Sequence, residues 1–517
     1  MASVSRTAQE PGQRTSSRRG ALTLMGGTLA SRVTGLVRNS LLAQFFPTVV
    51  IDAFVTAFKV PNLFRELLAE GALSNSFVPI YKRLAVDDAR RLAGALLAML
   101  VIVNGLLMGL AYLAAPSIAR LLIADAGHVD VDLTVRLIRI VFPFLPAISF
   151  SALAMGILNA EERFLAPAWA PVALNVVTVT LMALFPGQAL MLALAHVLGG
   201  VAQLVVQVPA LIRSRLLPRL GALWHPALAS VAMLMLPFAF TASGRQVLNV
   251  VASNVITGID AGAQGAFYLA DLFLGLALGL FSISPALAYY SRLSDHAVNE
   301  EASFGPTLSE GVRFISFLTV PAGVAMALLA APAVDVVYNW RSLFGQPMDP
   351  ALREYTIAAT APLGLAVFPL GVFNLLIRTF YIRGKVRTPV ALVLLTLSFQ
   401  GLLYVLLAPR FGVAGVASAT AVGAWVQFAA AVLLVNRSER FAVGAFAWHA
   451  ARIWVAALLA GGAAFLAVTL LPLPAGWYGS LAALVVAAVA LVIVYALCGA
   501  LLRLPELAAL SRRLRGR

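Results

Sequence analysis

Ten ionisable residues stand inside stretches of this chain that are otherwise apolar enough to lie in lipid. Seven of them crowd into the first two such stretches. Arg32 and Arg38 are six residues apart in SRVTGLVRNSLLAQFF, about 9 Å along a helix axis. In DAFVTAFKVPNLFRELLAEGALSNSFVPIYKR, Asp52, Lys59 and Glu66 recur every seven residues and Glu70 follows four later. On an unkinked helix these four form one stripe, which Pro61 breaks into pieces. Arg65 points elsewhere. Arg245, Asp271 and Arg378 stand singly in later segments. A charge near the bilayer centre costs about 3 kcal/mol, so such groups must face one another or a wet cavity. The six bases outnumber the four acids. Excess positive charge held inside a membrane suits an anionic ligand. Arginine is the side chain of choice, because its planar fork takes phosphate oxygens in pairs and keeps its charge. For Lys59 with Glu66, or Arg65 with Glu70, ion pairing that only fixes helix packing is an open alternative. Glu70 and Arg378 sit near helix ends, where snorkelling is open too. Arg32, Arg38 and Arg65 exceed the acids available to neutralise them and are the candidate ligands for such an anion. Asp52, Lys59, Glu66, Glu70, Arg245, Asp271 and Arg378 are candidate cavity and gating charges.

The elements that carry these residues are membrane helices. Of 517 residues, 61% are hydrophobic and 11% charged, whereas a soluble domain is nearer a quarter charged. The fold class expected is an all-α integral membrane protein. A span needs about 20 apolar residues, and fourteen stretches qualify, from 21–46 to 478–502. The net charge of +15 comes from short basic runs between spans, which argues for the positive-inside rule rather than for nucleic acid. With both termini cytoplasmic, the outer segments hold only Arg120, Arg136, Arg139, Arg341, Arg353 and Arg410. Residues 1–19 read as a disordered cytoplasmic leader. The apolar stretch after it is too long and too charged for a cleaved signal. The lone Cys498 and five scattered histidines offer no disulfide, no metal site and no cofactor site. No phosphate-binding G-x-x-x-x-G-K-[ST] loop occurs.

An internal repeat is visible. Met155 to Ala168 (MGILNAEERFLAPA) and Ile377 to Val390 (IRTFYIRGKVRTPV) each lead into a pair of helices. The second helix of each pair carries Gly and Gln near its middle (Gly200 and Gln203; Gly423 and Gln427). A duplicated six-helix unit accounts for this: one lobe over 20–220, a second over 221–440, then two helices and a basic tail over 441–517. Transporters built from repeats bind substrate at the repeat interface and work by alternating access.

SRVTGLVRNSLLAQFF, DAFVTAFKVPNLFRELLAEGALSNSFVP and RTFYIRGKVRTPV resemble the MurJ (MviN) lipid II flippases of the MOP exporter superfamily. The resemblance implies two six-helix lobes with two added helices. It implies movement of an undecaprenyl-diphosphate-linked peptidoglycan precursor from the inner to the outer leaflet of a bacterial cytoplasmic membrane. Its partners would be lipid II, membrane lipids and candidate cell-wall synthesis proteins. It places Arg32 and Arg38 on the diphosphate, and marks Asp52, Arg65, Glu70 and Asp271 as needed. Two departures stand out. Asn39 replaces a frequent Asp after the helix-1 arginine. Leu272 replaces a frequent Arg after the helix-8 acid, so Arg245 or Arg378 would have to supply charge there. Helix 11 has no acid for a sodium site. Three rivals share parts of the pattern. A related exporter of drugs or of another lipid-linked saccharide would not need PNLFRELLAEG. A membrane transferase would need a catalytic carboxylate or histidine in a long loop. A non-transporting scaffold would not need buried charge. The expectation is a transporter and not an enzyme.

Overall fold

The computed structural model describes residues 11–508 except 69–71, 125–127, 220, 222, 386, 440 and 442; the side chains of 11–22, 24, 25, 66–68, 72, 74, 75, 236–247, 438 and 439 also fall outside the described set. The chain forms two compact units, one of Met1–Leu121 with Asp130–Ser243 and one of Leu122–Val129 with Gly244–Arg517. The first carries α1 (Pro11–Phe45), α2 (Thr48–Leu68), α3 (Ala72–Tyr81), α4 (Val86–Leu122), α5 (Val131–Val141), α6 (Phe144–Ala160), α7 (Leu165–Leu184), α8 (Ala189–Val205), α9 (Val208–Arg213) and the start of α10 (Ala227–Thr257). The second continues α10. It then carries α11 (Ala263–Leu278), a π-helical turn (Gly279–Ile283), α12 (Ser284–Asn299), α13 (Glu301–Leu328) and α14 (Ala330–Tyr338). A 3-10 turn (Trp340–Phe344), α15 (Pro350–Gly364), α16 (Val367–Ile382), α17 (Arg387–Glu439), α18 (Val443–Leu470) and α19 (Trp477–Leu501) complete it. Among the described residues there is no strand. Of the leader expected at 1–19, residues 1–10 lie outside the described set and 11–19 are the first turns of α1.

The distribution of apolar residues is that of a protein solvated by lipid. Leu106, Leu110 and Leu113 stand 63–79% exposed along α4, and Val489, Val492, Ile493 and Leu497 more than half exposed along α19. Each unit still has a packed interior: Leu73, Phe77, Leu92, Leu96 and Ile157 in the first, and Phe304, Leu308, Ile315, Leu375 and Ile453 in the second. Among the described residues nine helices are long and apolar enough to cross a membrane, or ten if the pair α15 and α16, bent by 50°, counts as one span. The difference from fourteen has physical causes. The helix α17 runs two expected stretches together across Gly412, whose φ of 55° and ψ of −138° are not helical. The charges of α1 and α2 weaken them as apolar segments, and of α10, whose side chains 236–247 lie outside the described set, the described part includes the shorter apolar helix Leu248–Thr257.

The two segments read as a repeat in the sequence end their helices with the same kind of turn, one that also closes α9 at Ser214–Leu216 and α19 at Leu502–Leu504. In the first unit Glu161 N–H donates to Ile157 O, Glu162 N–H to Asn159 O and Arg163 N–H to Leu158 O. In the second, Arg383, Gly384 and Lys385 make the same three bonds to Thr379, Tyr381 and Phe380. Each turn ends a helix through a left-handed residue, Glu162 at φ 57° and Gly384 at φ 67°, as helix C-termini commonly do. One helix earlier the breaks also correspond. The first parts α5 from α6 at residues 142–143, and the second parts α15 from α16 at 365–366.

Candidate anion-binding site

In the first unit α1 lies against α7, and small residues make the approach possible. A Cβ on Gly27 would run into the Ala168 carbonyl, and one on Gly35 would touch the Asn175 side chain at 3.5 Å. Ser31, Thr34, Gly35 and Arg38 follow the i, i+3, i+4, i+7 spacing that puts residues on one helix face. Asn175 of α7 engages that face with both ends of its amide. Its Nδ2 donates to Ser31 O (3.0 Å) and to Thr34 Oγ1 (3.1 Å). Its Oδ1 accepts from the Arg38 guanidinium at 3.1 Å. The other terminal nitrogen of Arg38 donates to Asn39 Oδ1 at 3.4 Å. The Nε of Arg38 is buried and has no hydrogen-bond partner. Among the described residues every partner of this guanidinium is thus a neutral amide oxygen.

That arrangement contrasts with arginines elsewhere in the protein. Arg353 forks onto Asp335, with one terminal nitrogen 2.7 Å from Oδ2. Arg292 holds both oxygens of Glu310 at 3.3 and 3.4 Å. A charge-assisted fork is the strong way to satisfy arginine. Arg38 is half-buried, oriented, and has none. Arg32 lies off the stripe that faces α7, is half-buried, and forms no hydrogen bond with a described residue.

The helix α2 runs through Pro61. Asp52 is fully buried on it, as is Thr56 one turn on, and Lys59 is half-buried. Arg65 is half-buried and donates from Nε to Asn62 Oδ1 at 2.9 Å, within its own helix. The Glu66 side chain and all of Glu70 lie outside the described residues, so the pairs Lys59 with Glu66 and Arg65 with Glu70 cannot be placed. One buried group beside α2 escaped the sequence reading. His196 of α8 is 5% exposed, and its ring centroid lies 4.6 Å from that of Phe54 and 5.3 Å from that of Phe58. Its Nδ1 faces Leu192 O at 2.9 Å. Scattered histidines carry no spacing signal, so only the fold could put this one against the charged helix.

In the second unit Asp271 is exposed on α11, next to Leu272, and the Arg245 side chain lies outside the described residues. Arg378 is better defined. Its Nε donates to Asn374 O at 3.1 Å, and its guanidinium carbon sits 5.5 Å from the centre of the Tyr290 ring. Asn374 in turn donates to Ser282 Oγ (3.1 Å), which donates to Gly371 O (2.8 Å). Ser282 belongs to the π-helical turn, an irregularity that often marks functional sites. Among the described residues no group of three or more His, Cys, Asp or Glu side chains is placed to hold a metal ion.

Comparison with known proteins agrees with this architecture. Residues 42–495 match the family described as "Lipid II flippase MurJ". The lipid II flippase MurJ of Burkholderia cenocepacia is 30% identical over 424 residues, 78% of this chain and 81% of that one. A probable lipid II flippase MurJ of Rhizobium tropici is 31% identical over 431 residues, 78% of each chain. Among solved structures, a lipid II flippase MurJ in an inward closed conformation superposes with a TM-score of 0.76 at 20% identity, covering 92% of this chain and 99% of that one. An inward-facing multidrug resistance transporter of the MATE family and MOP superfamily reaches 0.65 at 16% identity, covering 80% and 96%. The chain belongs to the lipid II flippase MurJ family.

Proposed function

We propose that the protein is a lipid II flippase, carrying the undecaprenyl-diphosphate-linked peptidoglycan precursor from the inner to the outer leaflet of the bacterial cytoplasmic membrane. Both termini are cytoplasmic in this reading. The observation that carries it is the Arg38 guanidinium, which is fixed by Asn175 and Asn39 yet faces no carboxylate among the described residues. A diphosphate is the kind of ligand such a group is built to take. Arg38, with Arg32 and Arg65, binds the diphosphate. Asp52, Lys59, Glu66, Glu70, Arg245, Asp271 and Arg378 are the charges whose pairings change as the protein alternates between inward and outward access. Relatives of the fold solved in inward-facing and outward-facing conformations support alternating access.

The test is complementation of a bacterium depleted of its own flippase. Wild-type protein should restore growth and clear precursor from the inner leaflet, and Arg38→Ala protein present at the same level should not. Normal growth on Arg38→Ala would remove the diphosphate clamp. Failure of the wild type, together with export of another lipid-linked saccharide, would favour the broader exporter reading.

A further inference from the structure

Between α9 and α10 the chain leaves regular helix and is strapped onto the start of α4. Arg219 N–H donates to Arg90 O at 3.0 Å, and Arg90 Nε donates back to Leu217 O at 3.3 Å. Gly94 leaves the room for this, since a Cβ there would run into the Arg219 carbonyl. Arg215 takes a left-handed φ of 55°. The clip leaves Arg213, Arg215 and Arg219 exposed, and none of them has a carboxylate partner among the described residues. Immediately after them come Leu223 and Trp224, 77% and 71% exposed, three residues before α10 begins. The acids at this end are Asp87, Asp88, Glu161 and Glu162. Asp88 faces Arg91 at 3.9 Å, and Glu161 and Arg90 act on Tyr81 in opposite directions.

Three cations without a carboxylate partner among the described residues, beside an exposed Leu-Trp pair at the mouth of a membrane helix, match one environment. Headgroup phosphates take the arginines, and the boundary of the acyl layer takes the apolar pair, where tryptophan is enriched. An acidic protein would meet the cations but would give no reason for the apolar pair to sit where the hydrocarbon begins. We infer that Arg213, Arg215 and Arg219 with Leu223 and Trp224 form an anionic phospholipid-binding strap, anchoring the connection between α9 and α10 to the cytoplasmic leaflet. The inference rests on the membrane orientation given above and not on the identity of the transported lipid.

The test uses the full chain with Cys498→Ser and Leu223→Cys, labelled with a bimane at the new thiol, in nanodiscs containing lipids spin-labelled near the headgroup. Adding phosphatidylglycerol to phosphatidylcholine should raise quenching roughly twofold, as expected for a polybasic segment drawn to anionic lipid. Replacing Arg213, Arg215 and Arg219 together by Gln should abolish that rise. Replacing all three by Lys should retain it, because a headgroup surface is satisfied by point charges. Equal quenching in both lipids, or full quenching by aqueous iodide whatever the lipid, would overturn the proposal. Because transport is not measured, a failure of the flippase reading would leave this result unaffected.

Discussion

Asn175 decides what Arg38 can do. A neutral amide aims the guanidinium without quenching it, whereas a carboxylate at the same place would aim and neutralise it together. Asn175→Asp, which neutralises the guanidinium and also gives up the Nδ2 donations to Ser31 O and Thr34 Oγ1, is therefore expected to cut transport at least tenfold in a reconstituted flipping assay, the scale of a lost charge-assisted contact. Asn175→Ser, which keeps the site uncharged, should lose less. If Asn175→Asp transports like the wild type, Arg38 does not work through free charge. Arg38→Lys tests the fork: a single ammonium should support less transport than the bidentate group it replaces. Arg38 was legible in the sequence because a charge in an apolar stretch announces itself. Asn175 was not, since a lone amide in an apolar helix has no periodicity or motif to mark it. His196 was invisible for the same reason.

At the level of elements, the paired turns allow a comparison within one molecule. Glu162 adopts φ 57° where the equivalent position, Gly384, adopts φ 67°, and the left-handed region costs a non-glycine residue about 1–2 kcal/mol. Glu162→Gly should raise the thermal midpoint of the purified protein, and Gly384→Ala should lower it by a similar free energy. Nothing lies within 4 Å of a Cβ at Gly384, so the backbone angle alone is being tested. A different kind of glycine holds α13 on α15: a Cβ on Gly323 would come 2.5 Å from Gly364 O, and one on Gly364 would come 2.7 Å from Gly323 O. The sequence revealed the turn through the matching segments at Met155 and Ile377. It did not reveal the breaks at 142–143 and 365–366, because an interrupted apolar run keeps its composition. The joining of two stretches in α17 was hidden likewise, as Pro409 is a turn signal between two apolar runs.

For the molecule as a whole, Asp335 and Asp260 of the second unit are carboxylates held in their charged form. Burial pushes the Asp335 carboxyl up, but hydrogen bonds and charge from Arg353, with help from Asn339 and Ser480, outweigh it and hold it below the ordinary value of 3.8. Asp260 is held below 3.8 chiefly by the Tyr355 hydroxyl and the Ala261 N–H, with His128 adding charge from 3.8 Å. The folded protein therefore binds these protons less readily than the unfolded chain. The stabilisation is fully present above about pH 4 and drains as the pH falls further. Thermal midpoints measured from pH 7 down to pH 3 should fall only at the acid end, and Arg353→Ala should flatten part of that fall. A midpoint that does not move in this range would contradict it. The class of the molecule and its cationic first helices were legible from composition and spacing. The ion pair between Arg353 and Asp335 was not, because its partners lie in separate helices and share no register.

The duplicated turn has a consequence for how the chain is made. Arg163 and Lys385 each follow the left-handed residue and donate to the same carbonyl of the preceding helix. Cations flanking a nascent span are what the insertion machinery reads in choosing which side to retain. Each half of the chain therefore carries its own cation at such a turn as it leaves the ribosome, Arg163 in the first and Lys385 in the second.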